Sequence, residues 1–267
     1  MPESRRTAAI ILAAGKGSRM TGYGGNKTLL PLVAGAAAYE GTRPMIVEVL
    51  ENLPPGPRGI VVHHFAEEVK KTASPYGADF IFQRKTNGTG GALLAACPFV
   101  ESCGTDAVLI TMGDVPLIRP KTYEKLLRKL DEGFDLAVLA FSPKDRAQYG
   151  MLEIDGGRVV RVTEWKYWSR YSEAEQQKLR FCNAGVYAAK RAALLEFTAK
   201  LAKTPHVVQK QRDGQWAAIE EYFLTDVVEL MSAAGRPVGL VKAPEEEVRG
   251  VDTPESLKAV QLRYSKM

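Results

Sequence analysis

The stretch Ala8-Ala9-Ile10-Ile11-Leu12-Ala13-Ala14-Gly15-Lys16-Gly17-Ser18-Arg19-Met20 decides the fold that we predict for this chain. It begins with an unbroken apolar run, which is typical of a parallel strand buried on both faces of a sheet. Two glycines one residue apart end the run, and glycine lets a backbone turn sharply and bring its N–H groups close to a ligand. Arg19 and, further on, Lys27 add positive charge, which suits phosphate oxygens. The stretch therefore predicts a nucleotide-phosphate loop at the head of an α/β sheet.

The composition of the 267-residue chain is that of an ordinary globular protein, with 45% hydrophobic and 25% charged residues. No run reaches the roughly 20 apolar residues that a membrane-spanning helix needs. The net charge of +5 is scattered without a basic run, which argues against nucleic acid as a partner. The three cysteines show no CxxC spacing, so we predict neither a disulfide framework nor a zinc site. We expect one cytoplasmic domain over residues 1–267, with no membrane partner, and we leave its oligomeric state open.

Strands alternate with helices along the chain, which predicts an α/β fold of the Rossmann-like kind, with a mixed, mostly parallel sheet flanked by helices. The predicted strands cover residues 8–14, 59–63, 79–83, 107–112, 136–141, 184–188 and 238–241, with a hairpin over 150–164. The predicted helices cover residues 45–50, 67–72, 92–97, 120–130, 173–179, 191–201 and 220–233, and a last helix starts at 254. Residues 206–215 are predicted as a loop, and 35–42 as a small insertion.

The first glycine loop has two other interpretations, and both are disfavoured. Gly15 and Gly17 match the first two glycines of a dinucleotide-binding fingerprint, but Met20 stands where the third small residue belongs. His63-His64 stand where that fingerprint needs an acidic residue after the second strand. Neither lysine of the region lies between a glycine and a hydroxyl residue, as a P-loop requires. A purely structural turn between strand and helix remains the alternative to a phosphate loop.

Two carboxylates are candidates for a magnesium site. Asp114 follows Gly113 directly after the apolar strand 107–112, at the sheet edge where open α/β sheets bind ligands. A carboxylate there is a hard oxygen ligand, which suits Mg²⁺ held jointly with phosphates. Asp252 is the best second candidate, just before Thr253 as a probable N-cap and Pro254 at the first helical position. The alternatives are a turn role for Asp114 and a helix-starting role for Asp252.

Taken together, the motifs resemble those of a known family. Leu12–Met20, followed by Lys27 and Pro31, resembles the signature of sugar-1-phosphate nucleotidyltransferases, also called pyrophosphorylases. Further segments are similar to the uridyltransferase domain of bacterial N-acetylglucosamine-1-phosphate uridyltransferase: Gly88–Ala92, Gly113–Ile118, Tyr149-Gly150, Thr163–Lys166, Asn183–Tyr187 and Glu221–Asp226. The similarity runs in the same order through nearly the whole chain, which makes it far more specific than any one motif.

The resemblance implies the nucleotide-diphospho-sugar transferase fold and a magnesium-dependent activity. That activity is transfer from UTP to N-acetylglucosamine-1-phosphate, which gives UDP-N-acetylglucosamine and pyrophosphate. UTP and a sugar-1-phosphate are then the expected partners, and Mg²⁺ the expected cofactor. The residues implied are Arg19 and Lys27 at the reacting phosphates; Leu12, Ala13, Ala14, Gly15, Gly17 and Gly113 at the nucleotide; Gln83, Gly88 and Thr89 at the uracil; Gly150, Glu164 and Asn183 at the sugar; and Asp114 and Asp252 at the metal.

The chain departs from the family pattern in four places. Asp252 stands where the family usually has Asn, which should preserve metal binding. Gly91 stands where a histidine usually follows Gly-Thr-Gly, so we expect a looser base pocket. The insertion at 35–42 has no family counterpart, and its role is open. No hexapeptide-repeat acetyltransferase domain is expected, so acetyl transfer is not predicted.

The substrate is not fixed by these motifs. Another sugar-1-phosphate remains open, and the segment Asp252-Thr253-Pro254-Glu255 also resembles that of cytidylyltransferases. A non-catalytic protein that only binds a sugar nucleotide and regulates is the alternative outside the enzyme class. Arg19, Lys27 and Asp114 are all present, which favours the enzyme.

Overall fold

A computed structural model describes residues 6–37, 39–212 and 215–267 of the chain. Residue 38 of the predicted insertion and residues 213–214 of the predicted loop lie outside the described residues. Where it is described, the insertion joins two short antiparallel strands, and the Gly35 backbone N–H donates to the Glu40 carbonyl at 2.7 Å. Across the described residues, no helix combines the length and the apolar character needed to cross a membrane.

The secondary structure alternates as predicted. The strands, numbered in chain order, are β1 Thr7–Leu12, β2 Pro31–Ala34, β3 Gly41–Pro44, β4 Arg58–Val62, β5 Asp79–Phe82, β6 Ala107–Met112, β7 Leu136–Phe141, β8 Met151–Asp155, β9 Arg158–Thr163, β10 Cys182–Lys190, β11 His206–Arg212, β12 Gln215–Glu221 and β13 Val238–Lys242. The helices are α1 Met45–Asn52, α2 Ala66–Ala73, α3 Gly88–Ala95, α4 Cys97–Ser102, α5 Pro120–Asp131, α6 Trp165–Trp168, α7 Glu173–Lys178, α8 Arg191–Leu201, α9 Asp226–Ala233 and α10 Pro254–Tyr264.

The main sheet is mixed and mostly parallel, as predicted. In the part of the chain that the structure describes, nine strands form it, in the order β13-β7-β10-β6-β1-β4-β5, with β8 paired to β10 and β9 to β8. β1 runs parallel to both β4 and β6, β4 is parallel to β5, and β13 is parallel to β7. β10 is antiparallel to β6 and β7. The predicted α/β fold class is confirmed.

β1 is an interior strand of the sheet, between β6 and β4, and both of its faces are apolar. Alternate side chains of a strand point to opposite faces. Ile11 therefore packs in a core with α1, α2 and α5, while Ile10 packs in a second core with α3, α8 and α9. Both side chains have 0% exposure. A continuous apolar run is what a parallel strand covered on both faces requires.

The order of the strands indicates which edge of the sheet can bind a ligand. After β1 the chain builds β4 and β5 on one side, then crosses back to form β6 on the other side of β1. In open α/β sheets ligands bind beyond the carboxyl ends of the strands, at the point where the strand order reverses. The loops after β1, β5 and β6 all open at this edge, and they carry the residues predicted for the site.

Two predicted elements are wrong. Residues 206–215 are not a loop: they contribute β11, which forms an antiparallel hairpin with β12. The helix predicted over 220–233 starts only at Asp226, because Glu220 and Glu221 still pair with Val207 and His206 across the hairpin. β-branched and aromatic residues favour β-strands, and the hairpin contains three of them, Val207, Val208 and Trp216.

Candidate active site

A cleft of about 490 Å³ lies at the carboxyl edge of the sheet. Most of the residues predicted for the site line it: Leu12, Ala13, Ala14, Gly15, Lys27, Gln83, Gly88, Thr89, Asp114, Asn183 and Asp252. β1 ends at Leu12, so Ala13 and Ala14 belong to the loop rather than to the strand as predicted. The predicted residues outside this lining are Gly17, Arg19, Gly113, Gly150 and Glu164. Of these, Gly113 is tied to β1, since its N–H donates to the Leu12 carbonyl at 3.0 Å.

The glycine loop wraps around the Lys27 side chain. Gly17 has a φ of 62°, in the left-handed region that favours glycine. A Cβ there would lie 3.3 Å from the Lys27 Cβ, so the loop backbone packs closely against the stem of the lysine. Gly15, in contrast, faces open space, with no atom within 4 Å of a Cβ built on it. The loop thus supports the lysine on one side and leaves the cleft free on the other.

Lys27 forms ion pairs with both predicted metal ligands. Its ammonium contacts the carboxylates of both Asp114 and Asp252, with 2.6 Å between Nζ and Asp252 Oδ1. Arg19 reaches the same Asp252, with 2.9 Å between Nη2 and Oδ2. The four side chains form one cluster, which we call the charge cluster. It brings Lys27 together with Asp252, which lies 225 positions further along the chain.

The charge cluster favours the ionised forms of Lys27 and Asp252. Burial alone lowers the pKa of the Lys27 ammonium, but the charges of Asp114 and Asp252 outweigh burial, and the pKa lies above its usual range. Burial alone raises the pKa of the Asp252 carboxyl, but Lys27 and then Arg19 more than offset it, and that pKa is lowered. The oppositely charged neighbours therefore stabilise the charged forms of Lys27 and Asp252 against the cost of burial.

The two carboxylates are held by linked loops. The Val251 N–H donates to the Asp114 carbonyl at 2.9 Å, which ties the segment before α10 to the loop after β6. α10 begins with the predicted N-cap, Thr253, which also forms a capping box with Ser256. Val251 itself is buried in a third small core with apolar residues of α10. Asp252 is consequently placed by packing, not by its own ion pairs alone.

Asn26 positions Lys27, and the sequence analysis did not identify it. Its side chain has 0% exposure, and Nδ2 donates to the Ala13 and His64 carbonyls, each at 2.8 Å. Its Oδ1 accepts from the Thr28 N–H at 3.0 Å and from the Thr28 hydroxyl at 2.8 Å. The lysine segment is thereby fastened to the ends of two parallel strands. The only signal in the sequence is that a polar amide stands beside the predicted catalytic lysine.

Residues 83–91, which we call the second glycine loop, form another wall of the cleft. From Gly88 onward they are the first turn of α3, so this helix begins before the predicted start at residue 92. Gly88 has a φ of 92°, and a Cβ on it would lie 2.3 Å from the Tyr222 carbonyl oxygen, so only glycine fits. The Gly90 N–H donates to that carbonyl at 2.8 Å, and the Leu224 N–H donates to the Thr89 hydroxyl at 3.1 Å. Gln83 is buried beside this loop with 4% exposure and lines the cleft.

The residues predicted to hold the sugar are divided between two cavities. Asn183 lines the cleft, and its carboxamide is engaged already, by the Tyr187 hydroxyl and by the Gly185 N–H. Glu164 lines a second cavity of about 900 Å³, which shares Thr89 with the cleft. Gly150 is a neighbour of both residues: its carbonyl accepts from the Asn183 N–H at 2.8 Å, and a Cβ on it would lie 3.5 Å from the Glu164 carboxylate. The structure thus brings these residues to adjoining spaces rather than to one.

Glu164 is a partly buried carboxyl group at the border of the second cavity. Its Oε1 accepts a hydrogen bond from the Thr225 hydroxyl at 3.3 Å. Burial raises the pKa of this carboxyl above its usual range. Thr225 is a second residue that the sequence analysis did not assign to the site, although it lies within the motif Glu221–Asp226.

Other reactive side chains near the cleft serve structural contacts. Cys182 is buried, and burial raises the pKa of its thiol to about 12, so it is not an activated nucleophile. His63 Nδ1 lies 2.8 Å from the Gln83 carbonyl oxygen, and His206 Nε2 lies 2.8 Å from Asp226 Oδ2. Within residues 6–37, 39–212 and 215–267, no group of three or more His, Cys, Asp or Glu side chains is placed to hold a metal ion.

We predict that Asn26→Ala lowers the free energy of unfolding by about 3 kcal/mol, because it leaves several buried polar partners unsatisfied. Urea unfolding measures this loss. Asn52→Ala is the matched control, since its Nδ2 makes one hydrogen bond, to Glu48 at 3.1 Å, and should cost about 1 kcal/mol or less. Equal losses in the two variants would contradict the role given to Asn26.

Comparison with known proteins places the chain among enzymes that transfer nucleotides. The sequence model described as a MobA-like NTP transferase domain matches residues 9–234. The bifunctional protein GlmU of Ruegeria pomeroyi is 34% identical over 265 residues, which cover 97% of this chain and 52% of that protein. GlmU of Rhodopseudomonas palustris strain BisA53 is 30% identical over 260 residues, covering 95% and 52%. The chain spans about half the length of these curated relatives.

Solved structures support the fold. The uridine diphosphate N-acetylglucosamine pyrophosphorylase from Trypanosoma brucei superposes with a TM-score of 0.72 at 13% identity, over 96% of this chain and 64% of that one. CMP:2-keto-3-deoxy-manno-octonic acid synthetase in complex with CTP gives 0.65 at 18% identity, over 98% and 99%. The predicted kinship with nucleotidyltransferases is confirmed, and the chain belongs to the family of MobA-like NTP transferase domains.

Proposed function

We propose that the protein transfers a uridylyl group from UTP to N-acetylglucosamine-1-phosphate, forming UDP-N-acetylglucosamine and releasing pyrophosphate. The observation that carries the proposal is the charge cluster at the mouth of the glycine loop. Two cationic side chains and two carboxylates meet there, beside a backbone turn that is open to the cleft. This combination suits the phosphates of a nucleotide and a divalent cation held between them.

The reaction needs no covalent intermediate. A phosphate oxygen of the sugar-1-phosphate attacks the α-phosphorus of UTP, and a new P–O bond forms. The bond from the α-phosphorus to the oxygen that bridges to the β-phosphate breaks, and pyrophosphate leaves with that electron pair. Lys27 and Arg19 neutralise phosphate charge, and the loops after β1 and β5 hold the nucleotide in position. Arg19 is well suited to move onto a phosphate, since its side chain is 65% exposed.

Asp114 and Asp252 are the residues that would hold Mg²⁺, and their arrangement fits this ion. Mg²⁺ is commonly bound by one or two carboxylates together with substrate phosphates, rather than by an all-protein cage. Here two carboxylates already share one positive group, the Lys27 ammonium. When bound, the ion would neutralise charge on the reacting phosphates. Asp252 in place of the family's usual Asn supplies a full negative charge for the same task.

The identity of the sugar is proposed from the similarity to the relatives named GlmU and from three residues. Asn183 lines the cleft, Glu164 lines the second cavity, and Gly150 contacts both residues. A carboxylate can accept hydrogen bonds from sugar hydroxyls, and a carboxamide can bond an N-acetyl group.

A substrate panel tests this function. Pyrophosphate release is measured for each nucleoside triphosphate with several sugar-1-phosphates and Mg²⁺, and UTP with N-acetylglucosamine-1-phosphate should give the highest kcat/KM. Higher turnover with CTP or with another sugar would replace the substrates proposed here. Tight nucleotide binding without turnover of any pair would instead favour a non-catalytic sugar-nucleotide-binding protein.

Lys27→Ala and Asp114→Asn should each lower kcat by about 10²–10³, because each removes a main charge-stabilising group from the reacting centre. Steady-state pyrophosphate release measures the loss, and circular dichroism checks that the fold survives. Lys70→Ala is the control, since this exposed lysine pairs only with Glu67 on α2 among the described ion pairs, and kcat should not change. Near-normal activity in either active-site variant would remove that residue from the mechanism.

Lys27 should compete with a divalent cation in the nucleotide-free protein. Lys27→Met keeps the stem that packs against Gly17 but removes the ammonium that neutralises both carboxylates. We expect Mn²⁺ to bind this variant about tenfold more tightly than the unmodified protein, as measured by electron paramagnetic resonance without nucleotide. The gain should be lost when Asp114→Asn is added. Unchanged Mn²⁺ affinity would contradict a cation site between these carboxylates.

A further inference from the structure

The amide group of Gln83 is held in one orientation by its neighbours. Gln83 Nε2 lies 3.2 Å from Asn87 Oδ1 and 3.3 Å from the Gly88 carbonyl oxygen. A backbone carbonyl only accepts hydrogen bonds, so the NH₂ end of Gln83 must face Gly88 and Asn87. No described residue donates to the other end of the amide, Oε1. Gln83 lines the cleft, and Oε1 is therefore the hydrogen-bonding atom that remains for a ligand.

Asn87 is held in a position from which its side chain can accept a hydrogen bond from Gln83. Its backbone N–H donates to the Lys85 carbonyl, and its carbonyl accepts from the Tyr222 N–H, both at 2.9 Å. Its carboxamide fills the space beside Gly91, where a Cβ would lie only 1.9 Å from Asn87 Oδ1. The glycine that departs from the family pattern thus does not leave an empty space. It provides the room in which Asn87 reaches Gln83.

We propose that Asn87 is a positioning residue for base selection: it holds the Gln83 amide so that the acceptor Oε1 faces the nucleobase. The inference rests on the proposed function and deepens it. A base that brings a ring N–H to this acceptor gains a hydrogen bond, and uracil has such a group at N3. The N3 atom of cytosine is itself an acceptor and would face Oε1 with like polarity. Asn87 therefore favours UTP over CTP without contacting either base.

The test compares three variants by their UTP-to-CTP ratio of kcat/KM, and by the ratio of dissociation constants measured by calorimetry without acceptor. Asn87→Ala removes the oxygen that accepts from Gln83, so the amide is less firmly held and both ratios should fall about fivefold. Asn87→Asp keeps an acceptor oxygen and should retain the original ratios. Its added negative charge weakens both triphosphates alike and cancels in the ratio. Lys85→Ala, an exposed change in the same loop, is the matched control.

Gly91→Ala tests the same interaction between Asn87 and Gln83 without changing either residue. The new methyl group can be accommodated only if the Asn87 carboxamide moves away from Gln83. Alanine is a better helix former than glycine, which offsets part of the cost of displacing the Asn87 side chain. Circular dichroism checks that the variant is folded. We expect the same fall in both ratios as for Asn87→Ala. The double variant should show no further fall, because both changes break one interaction.

The inference would be overturned if Asn87→Ala and Gly91→Ala both retained the original ratios, or if Asn87→Asp lost selectivity as fully as Asn87→Ala. A failure of the proposed function has a different signature. It appears in the unmodified protein as absence of turnover with UTP and any sugar-1-phosphate. In that case the ratios of dissociation constants still decide whether Asn87 sets the base preference.

Discussion

The contact of one ammonium with two carboxylates is the constraint on which the site depends. Asp114 and Asp252 arrive from distant parts of the chain, and two carboxylates this close would repel each other without the Lys27 charge between them. Lys27 in turn is fastened by Asn26 to the ends of two strands. The cluster is therefore not a set of flexible surface ion pairs. It is a point where the sheet edge, the glycine loop and the start of α10 are joined.

The charge balance of this cluster bears on substrate binding. Two cationic and two anionic side chains cancel, so the cluster alone offers a nucleoside triphosphate no net attraction. A divalent cation on the carboxylates would change this balance, because it would free Lys27 and Arg19 to face the phosphates. The proposed magnesium site and the proposed phosphate contacts are consequently one feature. Neither can be assigned without the other.

The sequence predicted the parts of the structure whose cause is local. β6, β7 and α8 have the predicted bounds, because long apolar or periodic runs buried against the sheet leave little freedom in their limits. The glycine loops and carboxylates were predicted for one edge of the sheet, and the structure brings them there. Asn26 and Asn87 were not found as functional residues. The role of a buried amide is set by partners that folding brings to it, and neither residue has a pattern that distinguishes it from an ordinary loop asparagine.

The β11–β12 hairpin, which was not predicted, has the largest consequence for the site. β12 leads directly into Tyr222, whose backbone holds the second glycine loop, and then into Thr225, whose hydroxyl bonds Glu164. One short segment thus fixes the proposed base side of the cleft and the proposed acceptor side together. Had residues 220–225 formed the first turns of a helix, as predicted, the Tyr222 carbonyl and the Leu224 N–H would form hydrogen bonds within that helix and could not hold the second glycine loop. The β11–β12 hairpin is therefore the part of the fold that sets the spacing between the second glycine loop and Glu164.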